Sequence, residues 1–138
     1  MFYTGLCFGT NDLEKSGIFY DAIFKTINVI RHQTTDNEIG YGFSGQEECF
    51  WIIKPFNKES ATNGNGSQMI ITANSKEQVD LFYSTALEFG GLDEGKPGLR
   101  DHTPNYYGAY IRDLDGNKIH IYIILQKKWR YNNKWLIR

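Results

Sequence analysis

Apolar and polar positions alternate along Tyr106–Arg112 and again along Lys118–Ile124, with Asp113-Leu114-Asp115-Gly116-Asn117 between the two runs. A period of two predicts strands, and Asp-Gly between such runs predicts a hairpin, because glycine takes positive φ without steric cost. Elsewhere the spacing lengthens to that of an amphipathic helix. Leu13, Ile18, Phe19, Ala22 and Ile23 are the apolar set in one stretch, and Val79, Phe82, Ala86 and Leu87 in another. Each helical stretch follows a short apolar strand, Leu6–Phe8 or Met69–Ile71, and a polar break, Thr10-Asn11-Asp12 or Asn74-Ser75. The break residues are N-cap types, whose side chains accept from the free N–H groups of a first helical turn. Gly90-Gly91 is placed to end the second helix.

The two stretches are copies of one another. Sliding the chain by 63 residues brings Asn11 onto Asn74, Glu14 onto Glu77, Phe19 onto Phe82 and Tyr20 onto Tyr83. After the first helix, strands are expected near Val29–Gln33, Ile39–Phe43 and Cys49–Ile53; after the second, near Gly91–Leu92, Tyr106–Arg112 and Lys118–Ile124. Each copy therefore reads strand-helix-strand-strand-strand, and Lys54–Ser67, rich in Asn, Gly and Ser, links them. A unit of this kind has one apolar sheet face and must pair with its neighbour to cover it. The expectation is a single domain over residues 1–138, built of units 1–54 and 67–125 with a tail at 126–138.

Composition changes this picture little. The chain has 138 residues, 41% hydrophobic and 15% aromatic, which describes a globular protein long enough for one core. No apolar run is long enough to span a bilayer and no leader-like segment opens the chain, so a cytoplasmic protein with no membrane partner is expected. Cys7 and Cys49 are too few for a disulfide scaffold and are expected as reduced, buried thiols.

Charge changes it in one place. The net charge of −1 argues against nucleic acid as a partner of the whole surface. Yet Lys127, Lys128, Arg130, Lys134 and Arg138 follow the last predicted strand with no acid among them. Without those five, the fifteen basic residues fall to ten against sixteen acidic, leaving a body of −6. Trp129, Tyr131 and Trp135 interleave with the tail's cations, a pattern that can grip a nucleic-acid backbone. The simpler reading docks these aromatics on the body or on a second copy of the chain. A homodimer is the expected assembly, with the tail's cations meeting the other subunit's acidic body.

Three strings carry a resemblance to a known family. YYGAYIRDLDGNKIHI at 106–121 resembles the last hairpin of the glyoxalase, bleomycin-resistance and extradiol-dioxygenase superfamily (the vicinal oxygen chelate proteins), which typically reads YYAAFVRDPDGNKIE. TNDLEKSGIFYDAIF at 10–24 is similar to that family's first strand-to-helix segment, commonly SDLERSxAFYDAVL. SKEQVDLFYSTALEFGGLDEGKPGLR at 75–100 is similar to SREAVDAFYAAALAAGGxDxGxPGLR of a bacterial glyoxalase-like subgroup. The resemblance spans nearly all of residues 1–125. It implies an α+β fold in which tandem βαβββ units form one cupped eight-stranded mixed sheet with two outer helices. The concave face is then the ligand site. Fold alone does not name the activity, because the superfamily hosts lyases, isomerases, dioxygenases, thiol transferases and drug binders.

Metal chemistry in that family depends on four strands each projecting one ligand toward a divalent ion, with open positions left for substrate oxygens. The resemblance puts the first position, normally His, at Gly5, which has no donor. Its counterpart in the second unit is Gln68, a weak carbonyl ligand. The last position, normally Glu, is His120, a good imidazole ligand for zinc, nickel or iron. The remaining position is Cys49 or Trp51 by the two-residue strand period. Gln68, His120 and Cys49 are thus the candidate metal ligands, an incomplete set lacking both carboxylates. The missing Glu is also the proton-shuttling base of the glyoxalase reaction, and His120 replaces it only with a pKa near neutrality. No tightly held cofactor is expected.

The candidates for contact with a small molecule in the cup are Trp51, Gln68, Arg100, His102, Tyr107 and His120. Phe50, Tyr106 and Tyr110 are further aromatic walls, half of which the strand period turns inward. Arg100 is a candidate fork for a carboxylate or phosphate. Two classes stay open. One is a small-molecule binder of the bleomycin-resistance kind, not a true glyoxalase I. The other is a metal-dependent lyase, isomerase or dioxygenase using Gln68 and His120 as ligands.

Overall fold

The computed structural model describes residues 3–125 throughout, and residues 129–131 and 134–136 as backbone strands. The order is β1 (Leu6–Gly9), α1 (Leu13–Lys25), β2 (Val29–Thr34), β3 (Glu38–Phe43), β4 (Phe50–Ile53), β5 (Met69–Thr72), α2 (Lys76–Glu88), β6 (Leu92–Leu99), β7 (Tyr106–Arg112) and β8 (Lys118–Ile124). Two short strands follow, β9 (Trp129–Tyr131) and β10 (Lys134–Leu136). The first eight strands form two four-stranded sheets, β1-β4-β3-β2 and β5-β8-β7-β6. In each sheet the first strand runs parallel to the fourth, and the other pairs are antiparallel. The 63-residue shift carries β1 onto β5 and α1 onto α2, end to end. The architecture is α+β, of tandem βαβββ units.

Local chemistry starts and stops the helices as the polar breaks imply. Asp12 caps α1 by accepting from Lys15 N at 3.1 Å, and Ser75 caps α2 by accepting from Gln78 N at 3.0 Å. Such caps contribute about 1 kcal/mol each. Beyond α2, Gly90 adopts φ +99 and Gly91 N donates to Ala86 O, which turns the chain into β6. Phe19, Tyr20, Ile23 and Phe24 of α1, with Val79, Phe82 and Ala86 of α2, are buried against Ile39, Tyr41, Phe50, Ile52, Ala109, Ile111, Ile119 and Ile121. Ile18 and Leu87, expected on the apolar stripes, are instead 55% and 38% exposed. The inward seam of α1 runs through Ser16, Gly17, Tyr20, Ile23 and Phe24, and Ile18 lies off it.

The two units are tied together by the β7–β8 turn. Tyr20 Oη donates to Asp113 Oδ2 at 2.7 Å, and Asp113 Oδ1 accepts from the backbone N–H groups of Asp115 and Asn117. Asn117 Nδ2 donates both to Asp113 Oδ2 and to Gly9 O of β1. Asp115 accepts from Ser16 Oγ and from Asn11 N at the start of α1. Burial pushes the Asp113 carboxyl up, against these hydrogen bonds, which pull it down. The Asp-Leu-Asp-Gly-Asn segment is therefore a clasp as well as a turn.

Several elements differ from the sequence reading. The strand expected at Gly91–Leu92 runs over Leu92–Leu99, with register shifts between Asp93 and Gly95 and between Gly95 and Gly98. It is an edge strand, so Pro97 and the bulges are tolerated. Cys7 and Cys49 are both exposed rather than buried, because Phe8 and Phe50 beside them take the core-facing positions. In the tail β9 and β10 pair antiparallel. The docking expected of the tail's side chains lies outside the described residues. No helix among the described residues is long and apolar enough to cross a membrane.

Candidate functional site

Strand parity decides what each sheet shows on the face turned from its helix. On β8, Ile119 and Ile121 enter the core, so Lys118, His120 and Tyr122 stand on the opposite face. On β7, Tyr107, Ala109 and Ile111 are core-facing, leaving Tyr106, Gly108 and Tyr110 opposite. The register pairs Tyr110 with His120, Gly108 with Tyr122 and Arg112 with Lys118.

The result is a floor of parallel rings that stack face to face and turn their edges outward. Tyr110 stacks on His120 at 3.9 Å between centroids and 7°, and Tyr106 stacks on Tyr122 at 4.5 Å and 5°. His102 meets the edge of this floor at Tyr106, 4.7 Å away. Gly108 leaves the room, since a Cβ there would lie 2.8 Å from His120 Cε1.

His120 is 2% exposed and both of its nitrogens are engaged. Nδ1 lies 2.9 Å from Ala109 O, which can only accept, so Nδ1 carries the proton. Nε2 lies 2.7 Å from Tyr106 Oη and accepts the phenol's hydrogen. The tautomer is assigned from this network. Burial lowers the His120 pKa, the fields of Arg100, His102 and Lys118 lower it further, and the Ala109 carbonyl opposes them. The ring is therefore neutral. Burial likewise pushes the Tyr106 phenol up, with Tyr110 and Tyr122 adding to the shift.

In the first sheet the corresponding face is built from glycines under one indole. A Cβ on Gly5 would collide with Trp51 Cζ3 and lie 2.9 Å from Cys49 O. A Cβ on Gly40 would come within 3.1 Å of Trp51 Nε1. Cys7 pairs with Trp51 as Ile70 pairs with His120, so the repeat makes Trp51 the counterpart of His120. Cys49 stands two residues before Trp51, with the same parity.

The other candidates fall as follows. Gln68 is exposed just before β5, and the neighbour of His120 on its own rung is Ile70 rather than Gln68. Among the described residues, no three His, Cys, Asp or Glu side chains gather as they would around a metal ion. Tyr107 is a correction to the sequence reading: it faces α2, where its Oη donates to Asp80 Oδ1 at 2.5 Å. Arg100 is another. Its Nη2 donates to Gly95 O, Lys96 O and Gly108 O, clamping the bulged edge strand instead of offering a free fork. His102 is exposed, with Nδ1 2.9 Å from Thr103 Oγ1. Sequence reasoning passed over Lys118 and Tyr122, although both share the parity of His120 on one strand.

Gln68 lines a cleft of ≈ 290 Å³ between the loop 63–68 and the side chains of Arg112 and Lys118. A neighbouring cleft of ≈ 240 Å³ shares Lys118 and is bounded by Cys7 of β1. A larger hollow of ≈ 740 Å³ lies by the linker at Lys54, Phe56 and Lys58 and contains none of the candidate residues.

Comparison with known proteins agrees with this architecture. No family model matches the chain, and no curated protein matches it. Among solved structures, a glyoxalase/bleomycin resistance protein from Albidiferax ferrireducens T118 is 37% identical, with a TM-score of 0.79 over 89% of this chain and 98% of that one. A glyoxalase/bleomycin resistance protein/dioxygenase family enzyme from Burkholderia phytofirmans PsJN is 18% identical, at a TM-score of 0.70 over 88% and 98%. Lactoylglutathione lyase from Agrobacterium tumefaciens is 17% identical, at 0.60 over 88% and 92%. The last two show the fold alone.

Proposed function

The chain belongs to the glyoxalase/bleomycin resistance protein family of the vicinal oxygen chelate superfamily, and from that premise we propose that it binds a small molecule on the aromatic face around His120 without glyoxalase I chemistry. The state of His120 carries this reading. A metal would need the Nε2 lone pair, which Tyr106 Oη already uses. The donor set does not fit a divalent ion on other grounds too. The indole of Trp51 fills the space over Gly5, and Ile70, not an oxygen or nitrogen donor, shares the rung of His120. The outward edges of the half-buried Tyr106, Tyr110 and Tyr122, by contrast, suit the apolar body of an organic ligand.

Two measurements test this. Elemental analysis of protein purified without chelators or metal-affinity steps is expected to find zinc, nickel and iron well below one per chain. Added metal is expected to give no turnover of the methylglyoxal–glutathione hemithioacetal. Stoichiometric metal that disappears in His120→Ala would overturn the proposal and favour a metal-dependent lyase, isomerase or dioxygenase.

The same reading makes the protein a homodimer. Ile70, Ile124 and Ile30 lie on the open faces at 58%, 50% and 48% exposure, an apolar surface that a second copy would cover. Sedimentation of the full chain is expected to give twice the monomer mass, and a monomer would refute it.

A further inference from the structure

One end of the aromatic floor is cationic, and Glu94, the acid that feels the Lys118 charge, is already bonded to Arg112. Lys118 stands two residues before His120 on the same face, its Nζ 5.1 Å from the centre of the Tyr110 ring. The Arg100 guanidinium lies 5.2 Å from the same ring, and its Nε is buried without a hydrogen-bond partner. Arg112, next to Lys118 in register, is already matched by Glu94 at 3.1 Å. Among the described residues, Lys118 makes no ion pair, and its ammonium makes no hydrogen bond. The Gln68 side-chain amide also has no hydrogen-bond partner among the described residues.

These two unmatched donors share one cleft. The loop 63–68 forms its other wall, with Asn63, Gly64, Asn65, Gly66 and Ser67, and no carboxylate lines it. A cation and an amide donor in a cleft without acid suit an anion, and a charge-assisted hydrogen bond from Lys118 would supply both attraction and direction. Lys118 also joins the cleft to the stacked rings, because it reaches over Tyr110. A cationic ligand would instead meet Lys118 and Arg100 of like sign.

We infer that the ligand is a planar aromatic carboxylate, with its carboxylate in the cleft on Lys118 and Gln68 and its ring against the half-buried Tyr110 and Tyr122, beside the buried His120. This rests on the reading that the floor is the ligand site and adds the class of molecule it takes. The field of Arg100 and Lys118, which already disfavours a second proton on His120, is what a bound carboxylate would neutralise. Binding is therefore expected to raise the His120 pKa.

The test is calorimetric titration of the full chain with 2-naphthoate, 2-naphthamide and cyclohexanecarboxylate, with His120 followed by NMR. The naphthoate is expected to bind roughly tenfold tighter than either of the others, the size of one charge-assisted contact. Lys118→Met, and separately Gln68→Ala, should remove the preference for naphthoate over naphthamide. Thermal midpoints of both variants confirm that they fold. Equal affinity for naphthoate and naphthamide at the floor, or an undiminished preference in both variants, overturns the carboxylate inference and leaves the ligand site in place. Binding that leaves the His120 resonances unmoved, or no binding of any of the three, overturns both.

Discussion

Asp113→Ala is expected to cost roughly 3–5 kcal/mol, the largest stability loss of any single side-chain truncation at the β7–β8 turn. The carboxylate accepts from Tyr20 Oη, from two backbone N–H groups and from Asn117 Nδ2, all close to the point where the turn meets α1. Truncation would leave the Tyr20 hydroxyl, on a side chain that is 0% exposed, without an acceptor, and the Asn117 amide with Gly9 O alone. Unmatched buried donors lose more free energy than the hydrogen bonds themselves contribute. Urea unfolding would show this as a lower midpoint at unchanged slope. Asp115→Ala, which removes only the contacts to Asn11 N and Ser16 Oγ, should lose about 1 kcal/mol. Equal losses in the two variants would mean that the turn holds its shape without the clasp.

The second large effect is expected at Gly108. Its Cβ position lies 2.8 Å from His120 Cε1, 3.0 Å from Ile121 O and 3.2 Å from Tyr122 Cβ. A methyl group there must displace the imidazole, because Ile121 O belongs to the β8 backbone and cannot retreat. Gly108→Ala should cost about 2–3 kcal/mol through overpacking. Displacement would also loosen the Tyr106–His120 hydrogen bond and admit water beside the ring. The His120 titration should then move up toward the ordinary histidine range, since burial is the largest cause of its depression. Wild-type stability with an unmoved titration would show that the sheet absorbs the methyl elsewhere.

Much of the fold was legible because the chain writes it twice. The helices begin at Leu13 and Lys76 and end at Lys25 and Glu88, the 63-residue spacing first visible in Asn11/Asn74 and Phe19/Phe82. β6 was not legible. Asp93, Glu94, Gly95, Lys96, Pro97 and Gly98 show no alternation, and only pairing with β7 makes them a strand. For the site, the two-residue period gave two sets of tyrosines without saying which faced the helices. Tyr107 therefore stood among the candidates, while Tyr122 did not. Arg100 shows a different limit: a guanidinium in a Gly-Pro-Gly neighbourhood has backbone carbonyls within reach, and a sequence does not reveal that they claim it first. Gly5 looked like a lost ligand. The structure gives the position a physical cause, because the Trp51 indole takes the space a side chain would need.

The bulged outer strands also bear on how this protein behaves at high concentration. β2 and β6 are the far edges of the two sheets, and each carries a break in register: one between Arg31 and Gln33, and two along Asp93–Gly98 with Pro97 inside. An incoming strand from another molecule needs an unbroken row of N–H and C=O groups to zip onto. Neither edge offers one over more than a few residues, and Pro97 lacks an N–H altogether. The remaining edges, β1 and β5, are only four residues long. Runaway strand-by-strand addition is thus blocked at the sheet margins, so association between molecules is steered to the faces, where it can close on itself and stop.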